Sequence, residues 1–255
     1  MVVDDGVVAR LRAAGCVFAE DEARLIRETA STPAEVERMV ERRVAGEPLE
    51  HVLGWAEFAG LRVEVDPGVF VPRHRSELLV TTARQHVRRG SVLVDLCCGT
   101  GALGLAATRG LDGVELHAAD LDPATVACAR RNIGPAGHVH QGDLFDALPP
   151  DLAGTVDVLL ASPPYVPTAA IAFMPPEARD HEPRIALDGG GDGLDLVRRI
   201  AAGAPHWLRD DGGVLLLELS AAQATAAADA VEQAGLTAST THDDEWDATV
   251  VTGLA

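Results

Sequence analysis

Basic side chains are scarce in this sequence. Of its 255 residues, 21 are Lys or Arg and 39 are Asp or Glu, which gives a formal net charge of −18. Because Lys and Arg are the residues that neutralise phosphates, this balance disfavours a protein that coats nucleic acid. We therefore expect a protein or small-molecule partner rather than a nucleic acid.

Long apolar segments are also absent. No run of apolar residues approaches the ~20 that a membrane-spanning helix needs. The first residues of the sequence include two acidic side chains, where a secretory signal would carry positive charge. We expect a cytoplasmic protein with no membrane anchor.

Cysteine is sparse, and its spacing is uninformative for metal binding. The four cysteines are Cys16, Cys97, Cys98 and Cys128. Adjacent cysteines rarely form a disulfide with each other, and no Cys or Cys/His cluster has the spacing of metal ligands. The sequence predicts free thiols in a reducing compartment and no metal site.

Three zones of different composition divide the chain. Residues 1–48 are rich in Ala, Glu and Arg and predict a small helical domain, in which residues 31–35 have the polar cap, proline and acid of a helix start. Residues 49–72 predict a linking β-hairpin, because residues 58–68 alternate apolar and polar side chains before a Pro-Gly turn. Residues 73–255 form the third zone, which we expect to be the main domain.

The third zone repeats strand and helix. The predicted strands are residues 92–96, 114–119, 139–140, 156–161, 214–219, 237–241 and 248–252. The predicted helices are residues 76–88, 101–109, 123–132, 193–208 and 221–234. Continuous apolar strands alternating with helices indicate an α/β fold with a doubly wound parallel sheet buried on both faces. We expect the last two strands to form a hairpin that adds one antiparallel strand at the sheet edge.

A glycine-rich loop follows the first strand of this zone. Residues 99–104 spell G-x-G-x-x-G, in which glycines let a ligand approach the backbone and the following helix offers free N–H groups. Asp120 ends the next strand, 19 residues after Gly101, and an acid at about this place binds a ribose diol. Nicotinamide dinucleotides and S-adenosyl-L-methionine both carry that ribose, so the loop alone leaves both cofactors open.

Acidic residues around the loop favour S-adenosyl-L-methionine. Asp95 directly precedes the loop, where a carboxylate repels a pyrophosphate but suits a ligand with an amino group and a sulfonium. Asp120, Asp122 and Asp143 also fall at expected strand ends, on the edge where such sheets bind ligands. Asp143 equally suits the cap of a helix that begins near Leu144.

A Ser-Pro-Pro-Tyr turn follows the strand at residues 156–161. Its two prolines have no N–H group, and their carbonyls stay free to accept hydrogen bonds. Tyr165 is the single tyrosine of the chain, and its ring is placed to stack on a planar group. The turn matches the (Asn/Asp/Ser)-Pro-Pro-(aromatic) signature of methyltransferases that act on planar NH₂ groups. Such a nitrogen is a weak nucleophile, so holding it in line with the methyl–sulfur bond accelerates transfer by positioning.

With these motifs in order, the sequence resembles the HemK/PrmC-type protein-(glutamine-N5) methyltransferases, which modify the Gly-Gly-Gln motif of peptide-chain release factors. The matching stretches are PLEHVLGWAEF from Pro48, VDPGVFVPR from Val65, DLCCGTGALGLA from Asp95, GDLF from Gly142, SPPY from Ser162, EPRIALDGG from Glu182 and DGL from Asp192. The resemblance implies a seven-stranded, Rossmann-like class I methyltransferase domain.

The resemblance also implies roles for individual residues. The implied cofactor-binding residues are Asp95, Cys97, Cys98, Gly99, Thr100, Gly101, Asp120, Leu121, Asp143, Leu144 and Ser162. The implied catalytic residues, at the substrate amide, are Ser162, Pro163, Pro164 and Tyr165. The implied cofactor is S-adenosyl-L-methionine, without a metal.

Two features depart from the family pattern. The family has Asn at the position of Ser162, and that side chain helps to hold the glutamine amide, whereas Ser is shorter. The family's N-terminal helical domain, which contacts the release factor, is longer than residues 1–48.

The expected function is S-adenosyl-L-methionine-dependent N-methylation of a protein glutamine, in a release factor or in another protein. The alternatives are N-methylation of a small amide- or amino-bearing metabolite, amino-methylation of DNA or RNA, a nicotinamide-dependent oxidation suggested by the glycine motif alone, and cofactor binding without catalysis.

Overall fold

The computed structural model describes residues 5–255. Its α-helices are α1 (Asp5–Ala13), α2 (Ala19–Thr29), α3 (Pro33–Val44), α4 (Leu49–Leu53), α5 (Glu77–His86), α6 (Ala102–Thr108), α7 (Pro123–Ile133), α8 (Pro176–His181), α9 (Asp195–Trp207) and α10 (Ala224–Gln233). Its strands are β1 (Trp55–Phe58), β2 (Leu61–Glu64), β3 (Val92–Leu96), β4 (Glu115–Asp120), β5 (Gly137–Gln141), β6 (Val158–Ala161), β7 (Val214–Leu219), β8 (Thr237–Asp243) and β9 (Ala248–Leu254).

Helices α1 to α4 enclose a small core of their own, in which Leu11, Ile26 and Val40 are fully buried. The predicted helix start is confirmed, because the Thr32 hydroxyl accepts a hydrogen bond from the Glu35 backbone N–H at 3.2 Å. The Glu35 carboxylate in turn accepts from the backbone N–H of the residue before the cap. These reciprocal bonds satisfy donors that a helix N-terminus leaves free.

The hairpin lies earlier in the chain than predicted. Residues 49–53 form helix α4, which ends at Gly54 in a left-handed conformation, and strand β1 begins at the next residue. The turn is therefore at residues 59–60, and residues 65–68 follow the hairpin instead of closing it. The positions of the boundaries between the three zones remain a prediction.

Seven strands form the main sheet in the order β5-β4-β3-β6-β7-β9-β8. Strands β3 to β7 are parallel, and β9 runs antiparallel to both of its neighbours. The predicted antiparallel edge strand is thus wrong in position: β9 lies inside the sheet and β8 forms the edge. The burial pattern gives the reason, since β9 is almost entirely buried and β8 is mostly exposed.

Helices cover both faces of the sheet, which confirms the doubly wound α/β prediction. One face packs against α5, α6 and α7, and the other against α9 and α10. The strand order reverses between β3 and β6. From β3 the chain builds the sheet outward through β4 and β5, and it then crosses back to place β6 on the other side of β3. In such sheets ligands bind beyond the carboxyl ends of the strands at this point. Among residues 5–255, no helix combines the length and apolar character needed to span a membrane.

Candidate active site

A cleft of about 680 Å³ opens at the carboxyl ends of the parallel strands. This volume lies within the range of roughly 300–1,000 Å³ that is typical of small-molecule sites. The structure brings together ten of the sequence-predicted site residues in its lining: Cys97, Gly99, Asp120, Leu121, Asp143, Leu144, Ser162, Pro163, Pro164 and Tyr165. We call the first six the glycine-loop side and the last four, with Arg73, Arg75, Glu182 and Glu218, the proline-turn side.

Backbone hydrogen bonds hold the glycine loop against strand β4. The Gly99 N–H donates to Asp120 Oδ2 at 3.0 Å, and the Asp122 N–H donates to Asp120 Oδ1 at 3.1 Å. Burial raises the pKa of Asp120, while these backbone donors pull it down. Cys97 has a positive φ of 55°, which is rare for a residue with a side chain. The loop thus has a defined shape before any ligand enters.

Four predicted cofactor residues do not line the cleft: Asp95, Cys98, Thr100 and Gly101. Asp95 is fully buried behind the loop, where its Oδ2 accepts from the Gly104 N–H at 2.9 Å. Its Oδ1 has no hydrogen-bond partner, and burial raises the pKa of Asp95 to about 7. A Cβ at Gly104 would lie 2.8 Å from Leu116 Cδ1, so a side chain there would force Leu116 to shift where α6 packs on the sheet.

Asp143 does not cap a helix through its side chain. Its carboxylate instead pairs with Arg199 of α9 at 2.9 Å. The next residue, Leu144, is buried and has a positive φ of 49°. Backbone strain of this kind is concentrated at ligand-binding sites, so Asp143 and Leu144 remain candidates for the cofactor side.

The proline turn is held in place by a glycine-rich segment. The Tyr165 carbonyl accepts a hydrogen bond from Gln223 Nε2 at 2.9 Å. A Cβ at Gly193 would lie only 2.2 Å from the same carbonyl oxygen, so only glycine fits there. Burial, and to a lesser degree the Glu218 carboxyl, raise the pKa of Tyr165 to about 12. Tyr165 is therefore a neutral phenol that lines the cleft.

Two arginines, separated in the chain only by His74, reach two buried carboxylates on the proline-turn side. The Arg73 guanidinium donates to Glu182 Oε1, which also accepts from the Val71 N–H at 3.3 Å. Arg75 Nε lies 3.7 Å from Glu218 Oε1, and its guanidinium carbon is 5.6 Å from the centre of the Tyr165 ring. Burial raises the pKa of both carboxyl groups.

Comparison with known proteins places these features in a family. Residues 60–177 match a family model described as the methyltransferase small domain. The release factor glutamine methyltransferase of Streptomyces coelicolor is 43% identical over 185 residues, which is 71% of this chain and 65% of that protein. That of Bifidobacterium longum is 33% identical over 243 residues, which is 88% of this chain and 82% of that protein. The chain belongs to the release factor glutamine methyltransferase family.

A relative with a different name matches as well. The 4-amino-L-phenylalanine/4-methylamino-L-phenylalanine methyltransferase of Streptomyces pristinaespiralis is 38% identical over 187 residues, which is 70% of this chain and 63% of that protein. The matched part thus spans less than two thirds of this relative and of the Streptomyces coelicolor protein. A solved methyltransferase from Pyrococcus furiosus, 18% identical, has a TM-score of 0.58 over 76% of this chain and 89% of its own. This structural likeness confirms the class I methyltransferase fold.

Sequence reasoning missed Glu218, a buried carboxylate that lines the cleft of this release factor glutamine methyltransferase family member. Glu218 is 3% exposed and belongs to no motif considered above. The available signal was its position, since it is a single carboxylate near the end of the apolar strand β7. A charged residue is almost never fully buried unless it is paired or has a function.

Proposed function

We propose that this protein transfers a methyl group from S-adenosyl-L-methionine to the side-chain amide nitrogen of a protein glutamine. The observation that carries the proposal is the single cleft in which the glycine loop and the Ser-Pro-Pro-Tyr turn face each other. The names of the relatives support a release factor as the protein partner. A cytoplasmic location belongs to the same proposal.

The glycine-loop side fits S-adenosyl-L-methionine better than a dinucleotide. Asp120 and Asp143 line it, and Asp95 lies directly behind it. The two carboxylates that line this side suit a cationic ligand and disfavour a pyrophosphate. When bound, S-adenosyl-L-methionine supplies a methyl group on a positively charged sulfur. Asp120 would accept hydrogen bonds from the ribose hydroxyls, and Leu121 and Leu144 would pack against the adenine.

The proline-turn side holds the acceptor. The carbonyls of Ser162 and Pro163 would accept hydrogen bonds from the two N–H groups of a planar nitrogen. This arrangement orients the weakly nucleophilic lone pair and so lowers the barrier by positioning. The Tyr165 ring would stack on the plane of the amide.

A small amino-bearing metabolite is the second candidate acceptor. Ser162 favours it, because Ser fills less of the pocket than the Asn expected at this position and leaves room for a bulkier group. The relative from Streptomyces pristinaespiralis, whose name gives an aromatic amine as substrate, adds support.

The test uses methyl-labelled S-adenosyl-L-methionine with two acceptors in parallel. One is a release-factor fragment with the Gly-Gly-Gln motif, and the other is 4-amino-L-phenylalanine. We expect label on the glutamine, located by mass spectrometry of the fragment. Label on the aromatic amine alone would replace the proposal with the second candidate. Absence of label on either, in a protein that binds S-adenosylhomocysteine, would contradict both.

A further inference from the structure

Buried polar atoms without a partner are concentrated on the proline-turn side. Within residues 5–255, four buried side-chain nitrogen or oxygen atoms have no hydrogen-bond partner, and three of them are Arg75 Nε, Glu182 Oε2 and Glu218 Oε2. Leaving such an atom unpaired is unfavourable, and more so when the group is charged. A ligand bound in the cleft would be able to supply the hydrogen bonds that these atoms lack.

Among these atoms, the Glu218 oxygen belongs to the residue that strand pairing places beside Ser162, the first residue of the proline turn. Strands β6 and β7 pair Ala161 with Leu217, and Ser162 and Glu218 are the residues that follow this pair. Neighbouring strands lie about 4.8 Å apart, so the two residues stand side by side where the strands end. Both line the cleft.

The protein itself provides a partner for only one of the two oxygens of the Glu218 carboxyl group. Arg75 lies near Oε1, and Oε2 is buried without a partner. An acceptor nitrogen held at Ser162 brings N–H donors to this position. We propose that Glu218 Oε2 accepts a hydrogen bond from the nitrogen to be methylated and then takes the proton that this nitrogen releases.

The inference rests on the proposed function and adds the fate of the proton. The acceptor nitrogen forms a bond to the methyl carbon while the carbon–sulfur bond breaks, and the electron pair of that bond stays on sulfur. The nitrogen then carries a positive charge, and its proton passes to the Glu218 carboxylate, which becomes a neutral acid. After the methylated product leaves, the Glu218 carboxyl group returns that proton to water.

The groups around Glu218 tune it for this role. Burial raises the pKa of Glu218, whereas the Ser76 and Ser162 hydroxyls and the Arg75 guanidinium lower it. Tyr165 faces the same carboxyl group and stays neutral, since its own pKa is raised to about 12. A carboxylate with a raised pKa is a better proton acceptor than a free one.

The experiment compares Glu218→Gln with the wild type, and with Glu57→Gln as a control at an exposed position of β1. We expect kcat of the Gln variant to fall about 100-fold, the lower end of what a positioned base contributes. Its affinity for S-adenosylhomocysteine should stay within twofold. The wild-type rate should rise with pH as Glu218 ionises, and this acid limb should disappear in the Gln variant.

A binding measurement supplies a readout apart from turnover. Calorimetry of the acceptor in the presence of S-adenosylhomocysteine should show at least fivefold weaker binding to Glu218→Gln and no change in the control. A Gln variant with kcat within threefold of wild type and an unchanged pH profile would overturn the inference and leave the proposed function intact. A wild-type protein that methylates neither acceptor would overturn both.

Glu218→Asp covers the case in which the Gln variant does not fold. This variant keeps the charge and shortens the side chain by one methylene. We expect about a tenfold loss of kcat with the acid limb retained, because the carboxylate still takes the proton from farther away. An Asp variant with no acid limb in its pH profile would refute the role of Glu218 as the proton acceptor.

Discussion

The two sides of the cleft differ in how their polar groups are satisfied. On the glycine-loop side, Asp120 binds two backbone N–H groups, and the Asn132 side chain donates to the Thr100 carbonyl at 2.9 Å. On the proline-turn side, Arg75 and Glu218 face each other at 3.7 Å and each keeps a buried atom without a partner.

This difference indicates how the methyl donor and the acceptor each bind in the cleft. The glycine-loop side is shaped by its own backbone, so a ligand that binds there meets a preorganised surface. The proline-turn side contains buried groups that the protein leaves half-paired, so its acceptor contributes hydrogen bonds that the fold lacks. Variants on the two sides should therefore separate binding of the methyl donor from turnover of the acceptor.

The largest expected effect concerns Asp95, which is buried behind the glycine-loop side. Asp95 keeps one buried oxygen without a partner, and burial raises its pKa from 3.8 to about 7. When folding raises the pKa of an acidic group, the protein loses stability as the pH rises from the unfolded-state pKa of that group to its folded-state pKa. Three pKa units correspond to roughly 4 kcal/mol, all of it lost above about pH 7. Asp95→Asn should therefore be more stable than wild type at pH 8 and equally stable at pH 4.

Denaturant unfolding at a series of pH values measures this difference. Asp151→Asn, at an exposed position outside the cleft, is the matched control and should show no such trend. A stability difference between Asp95→Asn and wild type that is constant from pH 4 to pH 8 would show that Asp95 is not held protonated by burial.

Asp120→Asn tests the glycine-loop side as a binding surface. Loss of charge-assisted hydrogen bonds worth about 1.5–3 kcal/mol should weaken binding of S-adenosylhomocysteine by about 10- to 150-fold. Calorimetry measures the change, with Asp151→Asn again as the control. Unchanged affinity would remove Asp120 from the predicted ribose contact.

Tyr165→Ala tests the proline-turn side, where we expect a change in acceptor turnover and none in binding of the methyl donor. Loss of ring stacking, worth about 1–3 kcal/mol, should reduce kcat/KM for the acceptor by about 5- to 150-fold. Affinity for S-adenosylhomocysteine should stay the same. Tyr165→Phe keeps the ring and should retain most of the activity. Equal losses in cofactor binding and in turnover would instead place Tyr165 on the cofactor side.

The sequence predicted the regular part of the fold and the glycine-loop side because both depend on local patterns. Strands β3 and β7 have the predicted bounds, since each is a continuous apolar run that ends at a loop. The proposed role of Glu218 depends instead on Arg75 and Ser162, which are remote from it in sequence. Strand pairing places Ser162 beside Glu218, and Arg75 reaches it from the turn before α5. The order of the last two strands was missed for a similar reason, because it depends on how much of each strand the helices can bury.

The smallest expected effect is that of Ser162, whose substitution tests both candidate acceptors. Removing its hydroxyl in Ser162→Ala costs one hydrogen bond to the Glu218 carboxyl group. At about 1.5 kcal/mol, the lower end for a bond to a charged group, this loss should reduce kcat by roughly tenfold. The backbone carbonyls of the turn remain in place, and they continue to accept from the nitrogen.

Ser162→Asn is more informative, because the longer amide adds reach toward a glutamine but takes space from a bulkier acceptor. With a glutamine acceptor, activity should be preserved or increased; with an aromatic amine, it should fall while S-adenosylhomocysteine binding persists. Parallel assays of this variant with the release-factor fragment and 4-amino-L-phenylalanine measure both outcomes. If activity changes equally with both acceptors, Ser162 does not distinguish between them, and other residues on the proline-turn side determine which acceptor is used.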